Sequence, residues 1–319
     1  MANFWCTISQ KKGLKLTVQI IIPIYKPDEN FIELLKSIKA QENVDFDVLI
    51  IDSCSDKKYI AELDGINAVV KDIDAAAFNH GGTRQMGVEM FPDKDVFVFL
   101  TQDAILADSS ALKKLLDAFQ DSAVGCAYGR QLPHEGAGAF ASHARLCNYG
   151  EKSYVYELAD KEKHGMKTVF ISNSFAAYRR TALEEAGGFP THTILCEDMY
   201  AASKMVLKGW KIAYCADAMV YHSHDYSIWQ EFKRCFDIGV FHATESWIRE
   251  TFGAAEGAGR KFVISEIKYL LKRNPLLLVP MVIRDGMKFL GYRMGLKHSC
   301  FSKHVCARLS MTKRYWTLR

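Results

Sequence analysis

The sequence predicts an α/β protein: a mostly parallel sheet flanked by helices, followed by a basic helical extension. Three observations carry the prediction. Apolar runs of strand length alternate with segments of helical period over the first hundred residues. The 319 residues are 49% hydrophobic and 24% charged, which is enough for a full core and unlike a disordered chain. Residues 260–319 carry a charge balance of their own, and so form a separate physical object.

The continuous apolar run at 18–24 reads as a strand buried on both faces. Residues 31–40 follow with Leu34, Leu35 and Ile38 at helical spacing, then a strand at 48–51. Helical 57–63, a short apolar run at 68–70, helical 82–90 and a strand at 96–100 complete a β-α-β-α order. Residues 133–154, rich in Gly, Ala and His and weakly periodic, are expected to form a mobile loop. Helical 198–208, a strand at 212–215 and one long helix over 228–250 close the body, and the glycine-rich run 253–259 reads as a hinge. The chain thus divides into a unit at 1–252 and a basic region at 260–319.

That region holds 14 Lys and Arg against Glu266 and Asp285, a net +12, so the rest of the chain carries −8. Its cations interleave with Phe262, Ile264, Ile267, Leu270, Leu271, Met287, Phe289, Leu290 and Tyr292. Two readings fit: a basic amphipathic surface lying on anionic lipid, and a helical subdomain packing its apolar side on the body. No nucleic-acid motif accompanies the charge, so a nucleic-acid partner is not expected. The nine cysteines are odd in number and never fall at C-x-x-C spacing, which points to reduced thiols rather than disulfides or structural zinc. Residues 1–15 lack a signal-like apolar stretch, and the longest apolar run, 276–283, is interrupted by Pro280. An intracellular chain without a membrane span is expected.

In parallel sheets ligands bind beyond the carboxyl ends of the strands, so those loops come first. The first reads Pro23-Ile-Tyr-Lys-Pro27, without the G-x-G-x-x-G that a dehydrogenase-type dinucleotide site needs. The second, Asp52-Ser-Cys-Ser-Asp56, offers a carboxylate able to accept the N3–H of uracil or thymine, but equally ordinary turn chemistry. After the 96–100 strand come Gln102 and Asp103, and an acid there suits Mg²⁺ or Mn²⁺ bridging to phosphate. Glu197 and Asp198 begin a helical pattern; they suit the helix dipole, and one could serve as a general base. His222 and His224, at i and i+2 of an extended segment, point to one side and could complete a metal site.

In this order these features resemble family 2 glycosyltransferases of the GT-A fold, over residues 18 to about 241. The blocks AFNHGGTR at 77–84, YGRQLP at 128–133, SNS at 172–174, GGFP at 187–190, the Glu197-Asp198 pair and HSH at 222–224 are similar to those of bacterial rhamnosyltransferases using dTDP-L-rhamnose. The resemblance implies that Pro23, Tyr25 and Asp52 line the nucleotide pocket, that Gly81 and Gly82 allow close backbone approach, and that Arg84 reaches the base or diphosphate. It implies Asp103 as the last acid of a D-x-D-like metal motif, with Gln102 where some relatives carry an acid. That departure makes His222 or His224 an additional ligand of Mg²⁺ or Mn²⁺. Asp198 becomes the base, Glu197 its neighbour, and the reaction an inverting displacement on an acceptor saccharide.

The same resemblance implies an acceptor on a polyprenyl diphosphate, in O-antigen, capsule or cell-wall synthesis, which the basic region would meet at the inner face of the cell membrane. A UDP-sugar donor and a non-catalytic nucleotide-sugar-binding protein are the alternatives. A sugar-nucleotide pyrophosphorylase lacks support because no glycine-rich loop follows the first strand. Homo-oligomerisation is left open by the sequence.

Overall fold

The computed structural model describes residues 16–253 and 256–317. Cys6, the rest of residues 1–15, residues 318–319 and positions 254–255 of the expected hinge lie outside the described residues. In chain order the first half contains β1 (Val18–Ile24), α1 (Glu29–Lys39), β2 (Phe46–Asp52), β3 (Ala68–Asp72), α2 (His80–Glu89), β4 (Val96–Leu100), β5 (Ile105–Leu106), α3 (Ala111–Leu116) and β6 (Val124–Leu132). Then follow α4 (Ala139–Asn148), β7 (Tyr154–Tyr156), α5 (Lys161–His164), β8 (Phe175–Arg179), α6 (Arg180–Glu185), α7 (Glu197–Leu207) and β9 (Lys211–Tyr221). The chain continues through α8 (Ile228–Thr244), α9 (Ser246–Phe252), α10 (Glu256–Arg273), α11 (Leu278–Leu296) and α12 (Lys303–Leu309).

The sheet runs β3-β2-β1-β4-β8-β6-β9-β5, with β7 paired to β9. From β3 to β4 every pairing is parallel, as the alternating first hundred residues require. Ile20, Ile22 and Ile24 enter a cluster with Phe31, Leu34 and Leu35 of α1 on one face of the sheet. Ile21 joins Phe97, Met205 and Phe236 on the other. Burial on both faces is why β1 reads as an unbroken apolar run. Beyond β4 the sheet is mixed: β8 lies antiparallel to β4 and to β6, whereas β6 and β9 are parallel. Because Leu100 pairs with Phe175, the chain entering β8 sets residues 172–174 beside residues 101–103.

Three local expectations are corrected. Residues 133–154 are not an irregular loop, for α4 occupies their middle. Its periodicity was faint because its buried residues are Ala141, Ser142 and His143, small or polar rather than apolar. They meet α10, where His143 Nε2 and Ser265 Oγ are 2.9 Å apart and the imidazole packs edge-on to Phe262. The long helix over 228–250 is broken at Glu245, whose backbone leaves the helical region at φ −110° and ψ 49°. Thr244 Oγ1 donates back to the carbonyls of Val240 and Phe241, and the Glu245 carboxylate accepts from Trp247 Nε1, which stabilise the break. Residues 58–63 form a tighter 3₁₀ turn, pinned by the Tyr59 hydroxyl donating to Asp52 at 2.8 Å.

Helix α11 lies against α8 along glycines. A Cβ on Gly239 would sit 2.3 Å from the Tyr292 carbonyl, and one on Gly295 would sit 2.0 Å from the Phe236 carbonyl. The two backbones therefore meet at a distance no side chain fits. Gly295→Ala is expected to cost about 1–3 kcal/mol by overpacking, read as a lower urea midpoint; an unchanged midpoint would show the helices can part without loss.

Candidate active site

At the carboxyl ends of β1 and β4 opens a cleft of about 930 Å³. Pro23, Tyr25, Arg84, Gln102, Asp103 and His224 all line it. The loop after β1 is held open by its neighbours: Tyr25 N–H donates to Gln102 Oε1 at 2.8 Å, and Lys26, with φ +43°, turns its N–H to the Cys54 carbonyl. Tyr25, 53% exposed, presents its ring at the mouth.

Asp103, His222 and His224 converge, their ligand atoms all within 4.8 Å of one another. His222 Nε2 lies 3.5 Å from Asp103 Oδ1 and His224 Nδ1 3.6 Å from Oδ2, longer than direct hydrogen bonds. The parallel ladder of β6 and β9 delivers the histidines, since His222 N–H donates to the Leu132 carbonyl one step past the strand. On its other side His222 Nδ1 faces Gln131 Oε1 at 2.9 Å. As Gln131 Oε1 only accepts, that contact puts the proton on Nδ1 and leaves the Nε2 lone pair toward Asp103. Burial, reinforced by the neighbouring His224, holds His222 well below the usual imidazole range. Burial also lowers His224, against the pull of Asp103. One carboxylate and two neutral imidazoles suit a divalent cation, and the mixed N/O set suits Mn²⁺ better than Mg²⁺, which takes oxygen ligands.

The second acid pair opens α7. Glu197, 5% exposed, is paired with Arg84 at 3.1 Å and accepts from Asn173 Nδ2 at 3.0 Å. Burial pushes its carboxyl up, but Arg84, His80 and Asn173 outweigh it and hold Glu197 below the usual range. Asp198 is half-buried and, among the described residues, accepts only from backbone N–H groups, those of Met199 at 2.8 Å and Asn173 at 3.2 Å. Burial and the charge of Glu197 push it up to about 7. Two adjacent carboxyls thus have divergent roles: Glu197 stays ionised and Asp198 is poised to exchange a proton near neutrality. A short path joins this pair to Asp103: His222 to Gln131, Gln131 Nε2 to Ser172 Oγ at 2.9 Å, then Asn173 N–H to Asp198.

Several expected contributors sit elsewhere. Asp52 does not line the cleft; its carboxylate turns to Cys54 N–H, the Ser55 hydroxyl and Tyr59, and Ser53 faces the cleft instead. Gly81 and Gly82 serve protein packing rather than a ligand. A Cβ on Gly81 would lie 1.8 Å from the Pro190 carbonyl, and one on Gly82 would crowd the Asn79 side chain that caps α2. Arg84 lines the cleft, yet its guanidinium is committed to Glu197 and to the His80 carbonyl. Gln131, Ser172 and Asn173 were visible only as parts of the YGRQLP and SNS blocks, because their role lies in a network that spans three strands. Met311, Thr312, Lys313 and Arg314 also line the cleft, which no local signal in the basic region announces.

The cleft opens at the strand ends, where ligands bind in sheets of this kind, with Asp103 and His224 on its wall; His222, Glu197 and Asp198 are not among the residues that line it. The family described as "Glycosyltransferase like family 2" matches residues 16–237, and the chain belongs to that glycosyltransferase family. It is 47% identical over 302 residues to the O-antigen chain rhamnosyltransferase RfbN of Salmonella typhimurium, covering 94% of this chain and 96% of that one. To the O-antigen chain rhamnosyltransferase WbaN of Salmonella anatum it is 45% identical over 300 residues, 93% and 95% of the two chains. Among solved structures, a mannosyltransferase from Pyrobaculum calidifontis in complex with GDP-Man and Mn²⁺ superposes with TM-score 0.61 at 15% identity, covering 89% and 88%. Residues 1–349 of TarS from S. aureus, in complex with UDP-GlcNAc, give 0.56 at 17%, covering 95% and 90%. Both likenesses are of fold.

Proposed function

We propose that this glycosyltransferase is an inverting rhamnosyltransferase that moves L-rhamnose from dTDP-L-rhamnose to a saccharide acceptor on a polyprenyl diphosphate, during assembly of a bacterial surface polysaccharide. The observation that carries the reading is the junction of Asp103, His222 and His224 with Asp198 through Gln131, Ser172 and Asn173. The identity of 47% to a named rhamnosyltransferase supports the donor. Asp198 takes the proton of the acceptor hydroxyl while that oxygen bonds to C1 of the sugar. The C1–O bond to the diphosphate breaks, and its electron pair stays on the diphosphate oxygen. Glu197, fixed by Arg84 and Asn173, keeps Asp198 basic enough for this at neutral pH. Gln131 fixes the His222 ring. Asp103, His222 and His224 would hold Mn²⁺ or Mg²⁺, which would neutralise diphosphate charge as a Lewis acid.

A panel of nucleotide sugars with and without Mn²⁺, scored for release of the nucleoside diphosphate, tests the donor. Turnover of dTDP-L-rhamnose and not of UDP-sugars is expected. Transfer from a UDP-sugar would overturn the donor, and binding without turnover of any donor would overturn the catalytic reading.

On this reading residues 1–252 are the catalytic unit and most of residues 260–319 attach it to the inner face of the cell membrane. Among the described residues no helix is long and apolar enough to cross a membrane. Helix α11 and the turn before it instead leave Leu276, Val279, Val282, Ile283, Phe289 and Leu290 exposed, Leu276 at 84%, beside exposed Lys272, Arg273, Arg293 and Lys297. Apolar groups rimmed by cations suit an anionic lipid surface, at about 1 kcal/mol per cation near it. Meanwhile Leu270 and Met281 pack inward, as a helical subdomain seated on the body requires, so the proposed lipid contact belongs to the opposite, exposed groups alone. The triple change Leu276→Ser, Val279→Ser, Val282→Ser is expected to abolish flotation with anionic vesicles while sparing transfer to a water-soluble acceptor. Unchanged flotation would reject this face as the contact.

A further inference from the structure

The cleft has a wall that the strand-end loops do not supply. Residues 311–314, near the end of the basic region, line it together with the loops after β1 and β4. Asp237, fully buried in α8, fastens this strap by accepting from Met311 N–H at 2.9 Å, Thr312 N–H at 3.2 Å and Thr312 Oγ1 at 3.4 Å. At its far end the Arg314 guanidinium donates to the Ala75 carbonyl, in the loop between β3 and α2, and so bridges the cleft rim. Lys313 is exposed and, among the described residues, makes no ion pair. The Arg314 Nε is buried without a partner.

Charge decides what such a wall can meet. The acids lining the cleft are Asp28, which caps α1, and Asp103. Its cations are Arg84, committed to Glu197, and the strap pair Lys313 and Arg314, which no carboxylate of the described residues neutralises. We propose that Lys313 and Arg314 bind the diphosphate of the nucleotide donor and stabilise it as it leaves, with Asp237 as the positioning residue that holds the strap in place. The proposal rests on the glycosyl-transfer reading above. As the C1–O bond breaks, the departing electron pair adds charge to the diphosphate oxygen; a guanidinium and an ammonium carried on the cleft wall stabilise that charge.

Calorimetric titration of wild type, Lys313→Ala, Arg314→Ala and the double variant with dTDP, dTMP and thymidine separates this role from a merely structural one. Thermal unfolding is monitored in parallel, and Lys313→Arg serves as the conservative rescue. The double variant is expected to lose about 10- to 100-fold in affinity for dTDP, less for dTMP and none for thymidine, as charge-assisted contacts to phosphate require. Lys313→Ala, at an exposed position, keeps the wild-type unfolding temperature, and Lys313→Arg restores most of the dTDP affinity. A loss equal for all three ligands, or no loss, overturns the proposal while the donor reading stands. Failure of the wild type to bind any nucleotide overturns both.

Discussion

Asp198→Asn is expected to lower turnover by about 10²- to 10⁴-fold while leaving dTDP affinity within about threefold of wild type. The asparagine keeps the shape and can still accept one of the two backbone N–H groups that Asp198 accepts, from Met199 and Asn173, but it cannot take a proton. Because burial and Glu197 push the Asp198 carboxyl up to about 7, the deprotonated base is the minor form in acid and the dominant one in alkali. Turnover should therefore rise with pH, gain about tenfold per unit below 7 and level off above it. Initial rates over pH 5 to 9 at saturating donor check this. A flat profile, or near-normal turnover of the variant, would remove Asp198 from the role.

Asp103→Ala, which removes the one carboxylate among the three side chains, or treatment with EDTA, which would strip an ion they hold, is expected to cost about 10²- to 10³-fold in transfer. His222→Ala should instead raise the Mn²⁺ concentration for half-maximal rate by about 10- to 100-fold, with activity recovered at high metal. Mn²⁺ titrations of EDTA-stripped protein distinguish these outcomes. Activity indifferent to chelator would mean that the three side chains hold no ion needed for catalysis.

Much of this site was legible in the sequence because the chemistry of a parallel sheet is local: a strand ends, and the next residues face the ligand. Asp103 needed only the run length of β4, and the i, i+2 spacing of His222 and His224 put both imidazoles on one side, whereas Tyr25 and Gln102 came from the family resemblance. Asp52 misled because a carboxylate at a strand end has two uses, and here the Ser55 and Tyr59 hydroxyls take up its oxygens. Gly81 misled for a similar reason. A glycine in sequence reports that something comes close, not whether that something is a ligand or the Pro190 carbonyl. Helix α4 was hidden because its buried residues are small or polar, and hydrophobic period is the signal by which helices are read.

By itself the sequence determined the alternation of strands and helices, the order in which the chemical groups arrive and the unusual charge of residues 260–319, since all three are properties of neighbours along the chain. Only the tertiary structure decided that β8 runs antiparallel and so sets Asn173 beside the loop of Asp103, that Arg84 is committed to Glu197 rather than to a ligand, and that part of the basic region closes the cleft. Those arrangements join residues about 70 to more than 200 positions apart, through pairings and burial that no window of sequence contains.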